Sequence, residues 1–226
     1  MTKKDALFDE WPEKYDRWFT TPLGSLVKKY ESELISDLLM PCPGEMILDA
    51  GCGTGVFSLD ILSSGSQVIG LDISLPMLRR AREKFGGYPF YPVWGDISTL
   101  PFREGTFDKV VSITAIEFIR NAKECVAELF RVTKSGGVVA VANLNSLSPW
   151  ATRRKEAAKT GDSIFHNANF RSPDDLLSLA PVKGVVRTAI HFQKDDVPEK
   201  AMEKEHEGRN KGWDTGAFAV VRWFKP

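Results

Sequence analysis

Cysteine is scarce in this chain: Cys42, Cys52 and Cys125 are the three in 226 residues. An odd number so irregularly spaced supplies neither a disulfide framework nor a zinc site, and it suits a reducing compartment. An excess of one charge is also missing, because thirty Lys and Arg balance thirty Asp and Glu. No global field therefore draws the protein to nucleic acid or to an anionic membrane. No stretch approaches the roughly 20 apolar residues of a membrane span, and Met1-Thr2-Lys3-Lys4-Asp5-Ala6 leads into charged and aromatic residues rather than an apolar export signal. Histidine is limited to His166, His191 and His206, dispersed and without partners at ligand spacing, so no metal is expected. Together these absences predict a cytoplasmic protein with one core and a small cap.

What is present is an alternation of strand-length apolar runs with helical stretches. Strands are expected at Glu45–Ala50, Gln67–Leu71, Tyr91–Trp94, Lys109–Ile113 and Gly137–Ala142, and helices at Val56–Ser63, Leu75–Phe85 and Ala122–Thr133. That order predicts an α/β fold with a mostly parallel sheet covered on both faces. Two helices precede it, at Asp5–Phe19 and Gly24–Met40, the second stopped by Pro41-Cys42-Pro43-Gly44. Beyond Asn143 the pattern weakens, and two runs rich in β-branched and aromatic residues, Val185–Phe192 and Ala217–Phe224, predict a closing antiparallel hairpin. The charged segment between them, Gln193–Thr215, reads as a solvated loop or short exposed helix. The expected plan is a single domain: a helical cap over 1–40, a core over 41–145, a cap or acceptor segment over 146–180 and the hairpin over 181–226.

The first strand runs through Asp49 into Gly51, Gly53 and Gly55 before a helix, a place where small residues let backbone N–H groups approach a ligand. A dinucleotide fingerprint would place its third glycine one residue later, where Val56 stands, and no Gly-Lys-Ser/Thr follows for a triphosphate loop. The second strand leads into Leu71-Asp72-Ile73-Ser74, about 20 residues on, where an acid can accept from ribose hydroxyls. A helix cap is the plainer reading of Asp72 or Ser74.

The run Ile47-Leu48-Asp49-Ala50-Gly51-Cys52-Gly53-Thr54-Gly55 resembles the first motif of the class I S-adenosylmethionine-dependent methyltransferases, in particular the branch with quinone-biosynthesis and small-metabolite enzymes. The resemblance covers roughly residues 40–145. It implies a Rossmann-like, doubly wound sheet of about seven strands with the last antiparallel, and S-adenosylmethionine as the methyl donor, released as S-adenosylhomocysteine. It implies that Asp49, Gly51, Gly53, Thr54 and Gly55 hold the cofactor, that Asp72 meets its ribose, and that Ile73 and Met77 lie alongside. Gly95-Asp96-Ile97 is similar to the family's segment in which Asp96 meets the adenine amino group and Ile97 frames the ring; an ordinary turn is the alternative for Asp96. By the same resemblance Thr114 and Ala115 line the floor, and Tyr15 in the aromatic helix folds over the cofactor, unless that helix is simply packed.

A sulfonium methyl is already electrophilic, so alignment and exclusion of water carry most of the catalysis and a base is not obligatory. Should the acceptor need deprotonation, Glu117 is the candidate base, since strand C-termini face the ligand crevice. An exposed acid at a helix start is its alternative. Cys52 reads as a small buried residue rather than a nucleophile. Arg153-Arg154-Lys155 reads as a solvated helix face rather than a phosphate or RNA contact, and His166 could reach the acceptor from the cap. Nucleic-acid amino methyltransferases carry an Asn/Asp-Pro-Pro-aromatic signature where this chain has Thr114-Ala115-Ile116-Glu117, so a small-molecule acceptor is expected and no nucleic acid. A non-catalytic relative that binds the cofactor, and a nicotinamide-dependent oxidoreductase, are the rival readings; monomer and homodimer stay open.

Overall fold

The computed structural model describes residues 7–160 and 164–226. Helix α1 (Pro12–Phe19) begins later than the expected Asp5 because Pro12 is fitted for the first turn and not the interior; residues 5 and 6 lie outside the described ones. Helix α2 (Pro22–Leu39) is opened by Thr21, whose hydroxyl accepts the Gly24 N–H at 3.0 Å, and it ends where Met40 turns left-handed at φ 51°. Its buried stripe is Val27, Tyr30, Leu34, Ile35 and Leu38, and Glu31 shares that stripe. The sharp α1–α2 corner needs Gly24, because a Cβ there would lie 2.0 Å from the Trp18 carbonyl oxygen.

The alternation that follows is β1 (Met46–Ala50), α3 (Ser58–Leu62), β2 (Gln67–Asp72), α4 (Leu75–Lys84), β3 (Phe90–Trp94), β4 (Phe107–Ile113), α5 (Ala122–Val132) and β5 (Thr133–Leu144). Strand β5 starts earlier than expected. Thr133 already pairs with Phe107, and Gly136 and Gly137 hydrogen-bond to Lys225 instead of only turning the chain. The sheet order is β3-β2-β1-β4-β5-β7-β6, with β6 (Gly184–Ala189) and β7 (Phe218–Phe224) completing seven strands. Strands β1 to β5 pair in parallel, and β7 runs antiparallel to both β5 and β6. This is the mostly parallel sheet that the alternation predicts, in the doubly wound order that the resemblance implies.

Adjacent strand residues feed opposite faces. Ile47, Val111 and Ala140 pack under α2 and α3, while Leu48, Val110 and Val139 pack under α5 and α7 (Pro173–Leu177). Between β1 and β4 the strand order reverses direction, which opens a crevice at the strand C-termini. Helix α6 (Pro149–Thr160) and the 3-10 turn Ile164–Asn167 lie over that end.

Of the two readings of Gln193–Thr215, the helix holds and the loop does not, and one face of that helix is buried rather than exposed. The two last strands are neighbours, but the segment between them is largely helix α8 (Pro198–Lys211), 14 residues long and packed on one side. Its inward face is Ala201, Glu205 and Gly208. The Glu205 carboxylate accepts the His191 N–H and the Arg209 Nε–H, each at 2.7 Å, and Gly208 leaves room for the His191 ring. A face made of small residues and one paired acid carries no apolar periodicity, which is why the charged sequence resembles a loop.

Candidate functional site

The C-terminal ends of β1, β2 and β4 border one cavity of about 1360 Å³. At one end the turn after β1 is tied to the neighbouring strand, with the Gly51 and Cys52 N–H groups donating to the Leu71 carbonyl at 2.7 and 3.0 Å. Gly51 has φ 82°, and a Cβ on it would stand 2.5 Å from the Ala115 Cβ, so Thr114-Ala115 and the glycine turn are in direct apposition. Gly53 has φ 55° and nothing where its Cβ would be, leaving its backbone open to the cavity.

Two carboxylates frame this turn. Asp72 accepts the Gly53 N–H on Oδ2 and the Ser74 N–H on Oδ1, both at 2.8 Å. Each oxygen keeps a further lone pair for a ligand hydroxyl. Burial, more than the nearby Asp9 charge, raises its pKa against those hydrogen bonds. The helix cap is Ser74, whose oxygen accepts the Met77 N–H at 3.3 Å. Asp49 accepts the Ser58 hydroxyl on Oδ2 at 2.6 Å, while its Oδ1 is buried without a partner; burial pushes its pKa up to about 7. An orphaned carboxylate oxygen on a ligand-sized wall fits a ligand with a cationic or N–H group there.

Asp96 sits on the same wall beside Ile97, its Oδ1 accepting the Ser98 N–H and hydroxyl at 2.8 and 2.7 Å and leaving Oδ2 available. Ile73 and Met77 complete that side. Thr114 stands in the left-handed region at φ 47°, unusual for a β-branched residue and therefore held by its surroundings; its N–H donates to the Ala142 carbonyl at 3.0 Å. Tyr15 reaches from α1 towards Thr114, and removal from water lifts its hydroxyl well above the usual phenol range.

Thr54 and Gly55 are not brought to the wall. The Thr54 hydroxyl points away and donates to Asp16 at 2.6 Å, and Gly55 accommodates the Phe85 ring, 2.3 Å from where a Cβ would sit. Thr54 instead serves a latch. Asp16 also takes Arg80 Nε at 2.9 Å and the Lys84 ammonium, so α1 is clamped to α4 and the glycine turn, with Tyr15 beneath. Burial, and then the Asp49 and Asp72 charges, hold the Cys52 thiol above its ordinary range, the opposite of what activates a nucleophile.

The other end of the cavity is aromatic and acidic. Phe8, Trp11, Trp18, Phe118, Trp150 and Phe165 contribute rings. Glu117, in the 3-10 turn Ile116–Phe118, is not the exposed acid of the alternative reading: it is 0% exposed. The Glu117 and Leu144 backbone amides lean towards its carboxylate, yet neither oxygen has a hydrogen bond of normal geometry, and burial pushes its pKa up to about 7. Glu31 enters from α2, buried as well, its pKa raised to about 8 by desolvation, with Arg154 pulling it back and Glu117 adding repulsion.

Arg154 corrects a second expectation, since it is not part of a solvated face. Its guanidinium lies over the Trp150 and Phe165 rings at 5.3 and 5.4 Å from their centroids, and its Nη1 is buried without a partner. Desolvation lowers its pKa, and Glu31 and Glu117 raise it. A helix whose first turn is capped by the Ser148 hydroxyl on the Ala151 N–H turns Arg154 inward and leaves Lys155 exposed. His166 is exposed, near the Ala158 carbonyl at 3.5 Å, and does not line the cavity. Glu31 lies outside the expected site altogether, and Arg154 was expected on a solvated face. For Glu31 a signal existed, an acid four residues after Val27 and three before Leu34 on the apolar stripe of α2.

Residues 48–141 match the family described as Methyltransferase domain. A demethylmenaquinone methyltransferase of Renibacterium salmoninarum is 29% identical over 77% of this chain and 73% of the relative. A malonyl-[acyl-carrier protein] O-methyltransferase of Serratia marcescens is 36% identical over 66% of each chain. Among solved structures, an S-adenosylmethionine-dependent methyltransferase of Thermotoga maritima, described as a possible histamine N-methyltransferase, superposes with a TM-score of 0.79 over 97% of this chain and 98% of that one. At 22% identity it speaks for the fold alone.

Proposed function

We propose that this chain, which belongs to the S-adenosylmethionine-dependent methyltransferases, moves the cofactor's methyl group onto a small molecule held under α1, α2 and α6. The observation that carries this reading is one continuous cavity of about 1360 Å³, which exceeds the roughly 300–1,000 Å³ of an ordinary ligand pocket. Its glycine and Asp72 end has open backbone and free carboxylate lone pairs, and its aromatic end has unpaired charge. Two ligands side by side account for both.

In this proposal Gly51 and Gly53 let the cofactor approach the backbone, and Asp72 accepts its ribose hydroxyls. Asp49 Oδ1 receives a cationic group, and Ile73, Met77, Asp96 and Ile97 surround the adenine. Thr114 and Ala115 form the floor, with Tyr15 as the cover. Thr54 and Gly55 act indirectly, through the Asp16 latch and the Phe85 contact. When bound, the cofactor supplies an electrophilic methyl on a sulfonium. The residues of this chain align the acceptor, exclude water and, at Glu117, hold a proton. No described helix is long and apolar enough to cross a membrane. We place the reaction in the cytoplasm on the three unpaired cysteines.

Calorimetric titration of S-adenosylmethionine into the wild type, Asp72→Ala and Gly53→Val tests the reading, with NAD titrated in parallel. Saturable binding in the wild type, lost in both variants and absent for NAD, is the expected result. No binding of S-adenosylmethionine, or binding of NAD in its place, overturns it.

A further inference from the structure

The acceptor end of the cavity buries two acids, Glu31 and Glu117. Cations act on both: Arg154 on each of them, Lys28 on Glu31 and Arg171 on Glu117, yet none of them hydrogen-bonds the Glu117 carboxylate. Arg154 lies within electrostatic reach of both acids, and its own Nη1 is buried without a partner. The group left unsatisfied is Glu117, fully buried, with neither carboxylate oxygen in a hydrogen bond of normal geometry, in the turn that carries Phe118. Phe118 meets Phe8 edge-on at 5.0 Å between ring centroids and stacks near Phe165 at 6.3 Å, so rings border the site where a ligand would meet Glu117.

A buried carboxylate with no donors is costly unless a ligand supplies them. A hydroxyl offers one donor and no charge, and a carboxylate ligand would add a third negative group to the wall. An ammonium offers up to three donors and a positive charge that pairs directly with the carboxylate, and aromatic faces favour it further. Building on the methyltransferase reading above, we propose that the acceptor is a small amine with an apolar or aromatic body, held as its ammonium by Glu117 and methylated on nitrogen.

The step balances with groups already named. The bound ammonium gives one proton to the Glu117 carboxylate, and the freed nitrogen lone pair forms the N–CH₃ bond. The electron pair of the breaking S–CH₃ bond returns to sulfur, so the sulfonium charge ends on the methylated nitrogen. Glu117 then passes its proton to solvent. Glu31 and Arg154 compensate one another in part and shape the wall beside this exchange.

The test is calorimetry on protein saturated with S-adenosylhomocysteine, using two matched sets of probes. One set is 2-phenylethylammonium, 2-phenylethanol and 3-phenylpropionate; the other is butylammonium, butanol and pentanoate. The expected result is that the ammonium member of at least one set binds about tenfold or more tightly than its hydroxyl and carboxylate counterparts, a difference of about 1.4 kcal/mol. That preference should vanish in Glu117→Gln and return in part in Glu117→Asp, with S-adenosylhomocysteine affinity retained in both. Mass spectrometry should find the N-methyl product only with the wild type and, more slowly, Glu117→Asp. Equal or tighter binding of the hydroxyl or carboxylate probes overturns the proposal. So does an ammonium preference that survives Glu117→Gln, or failure of both ammonium probes to bind a protein that binds S-adenosylhomocysteine. Failure of the wild type to bind S-adenosylhomocysteine at all brings down the methyltransferase reading together with this one, which tells the two failures apart.

Discussion

At the glycine end of the cavity most polar groups are already satisfied by the chain. Asp72 braces Gly53 and Ser74, Ser58 holds Asp49, and Leu71 ties down the turn. At the aromatic end Glu117 and the Arg154 Nη1 have no partner. The first arrangement is preorganised, with a backbone shape that tolerates little change and a lone orphan, Asp49 Oδ1. The second keeps unpaired charge for what enters. Binding of a common cofactor can rest on fixed geometry, because its shape does not vary, whereas discrimination among acceptors needs side-chain charges that only the right partner neutralises.

The largest effect expected from breaking this contrast is at Gly51. Gly51→Val combines a β-branched residue at φ 82° with the Ala115 contact, so S-adenosylmethionine affinity should fall by about a hundredfold or more by calorimetry. A conservative change at the other end, Arg154→Lys, should leave cofactor affinity within about twofold, because charges there do not hold the turn. A comparable loss in both variants would dissolve the distinction between the two ends.

A smaller effect should follow from unlatching α1. Asp16→Ala removes the acceptor shared by Thr54, Arg80 and Lys84 and frees the helix that carries Tyr15 and Trp18. Cofactor release, followed by stopped-flow tryptophan fluorescence, should quicken by about tenfold, roughly 1.4 kcal/mol if association is unchanged. An unchanged release rate would show that α1 is static packing rather than a cover.

The smallest effect is on the ligand-free stability profile. Glu31, Asp49 and Glu117 have pKa values raised to about 8, 7 and 7 from 4.5, 3.8 and 4.5. The folded state therefore keeps protons that the unfolded state has lost. Stability contributed by these groups is full below about pH 4 and falls as pH rises through the folded values. Melting temperature should drop between pH 5.5 and 8, and Glu117→Gln should flatten part of that drop. A rise over the same interval would mean that the three carboxyls are paired in the folded protein.

The parallel sheet was legible because each strand and helix announces itself within about ten residues, and the glycine turn because its chemistry is contiguous from Asp49 to Gly55. Orientation within that turn was not. Thr54 and Gly55 belong to the motif, yet one faces Asp16 and the other Phe85, a choice made by elements 38 and 30 residues away in the chain (54 − 16 and 85 − 55). Helix α8 was one of two readings of its segment, and its packed face was illegible for a different reason: its buried acid, Glu205, is paired with His191 and Arg209, so burial there leaves no hydrophobic trace.

The order of elements, the strand-to-helix glycine turn with its two acids, and the cofactor class were determined by the sequence alone, since each rests on short-range periodicity or on adjacent residues. The acceptor end was decided only by the tertiary structure. Glu31, Glu117 and Arg154 come from three separate elements, and each looks like an ordinary charged helix or turn residue in isolation. What makes them a site is shared removal from water and mutual electrostatic reach, properties that arise only when distant segments pack.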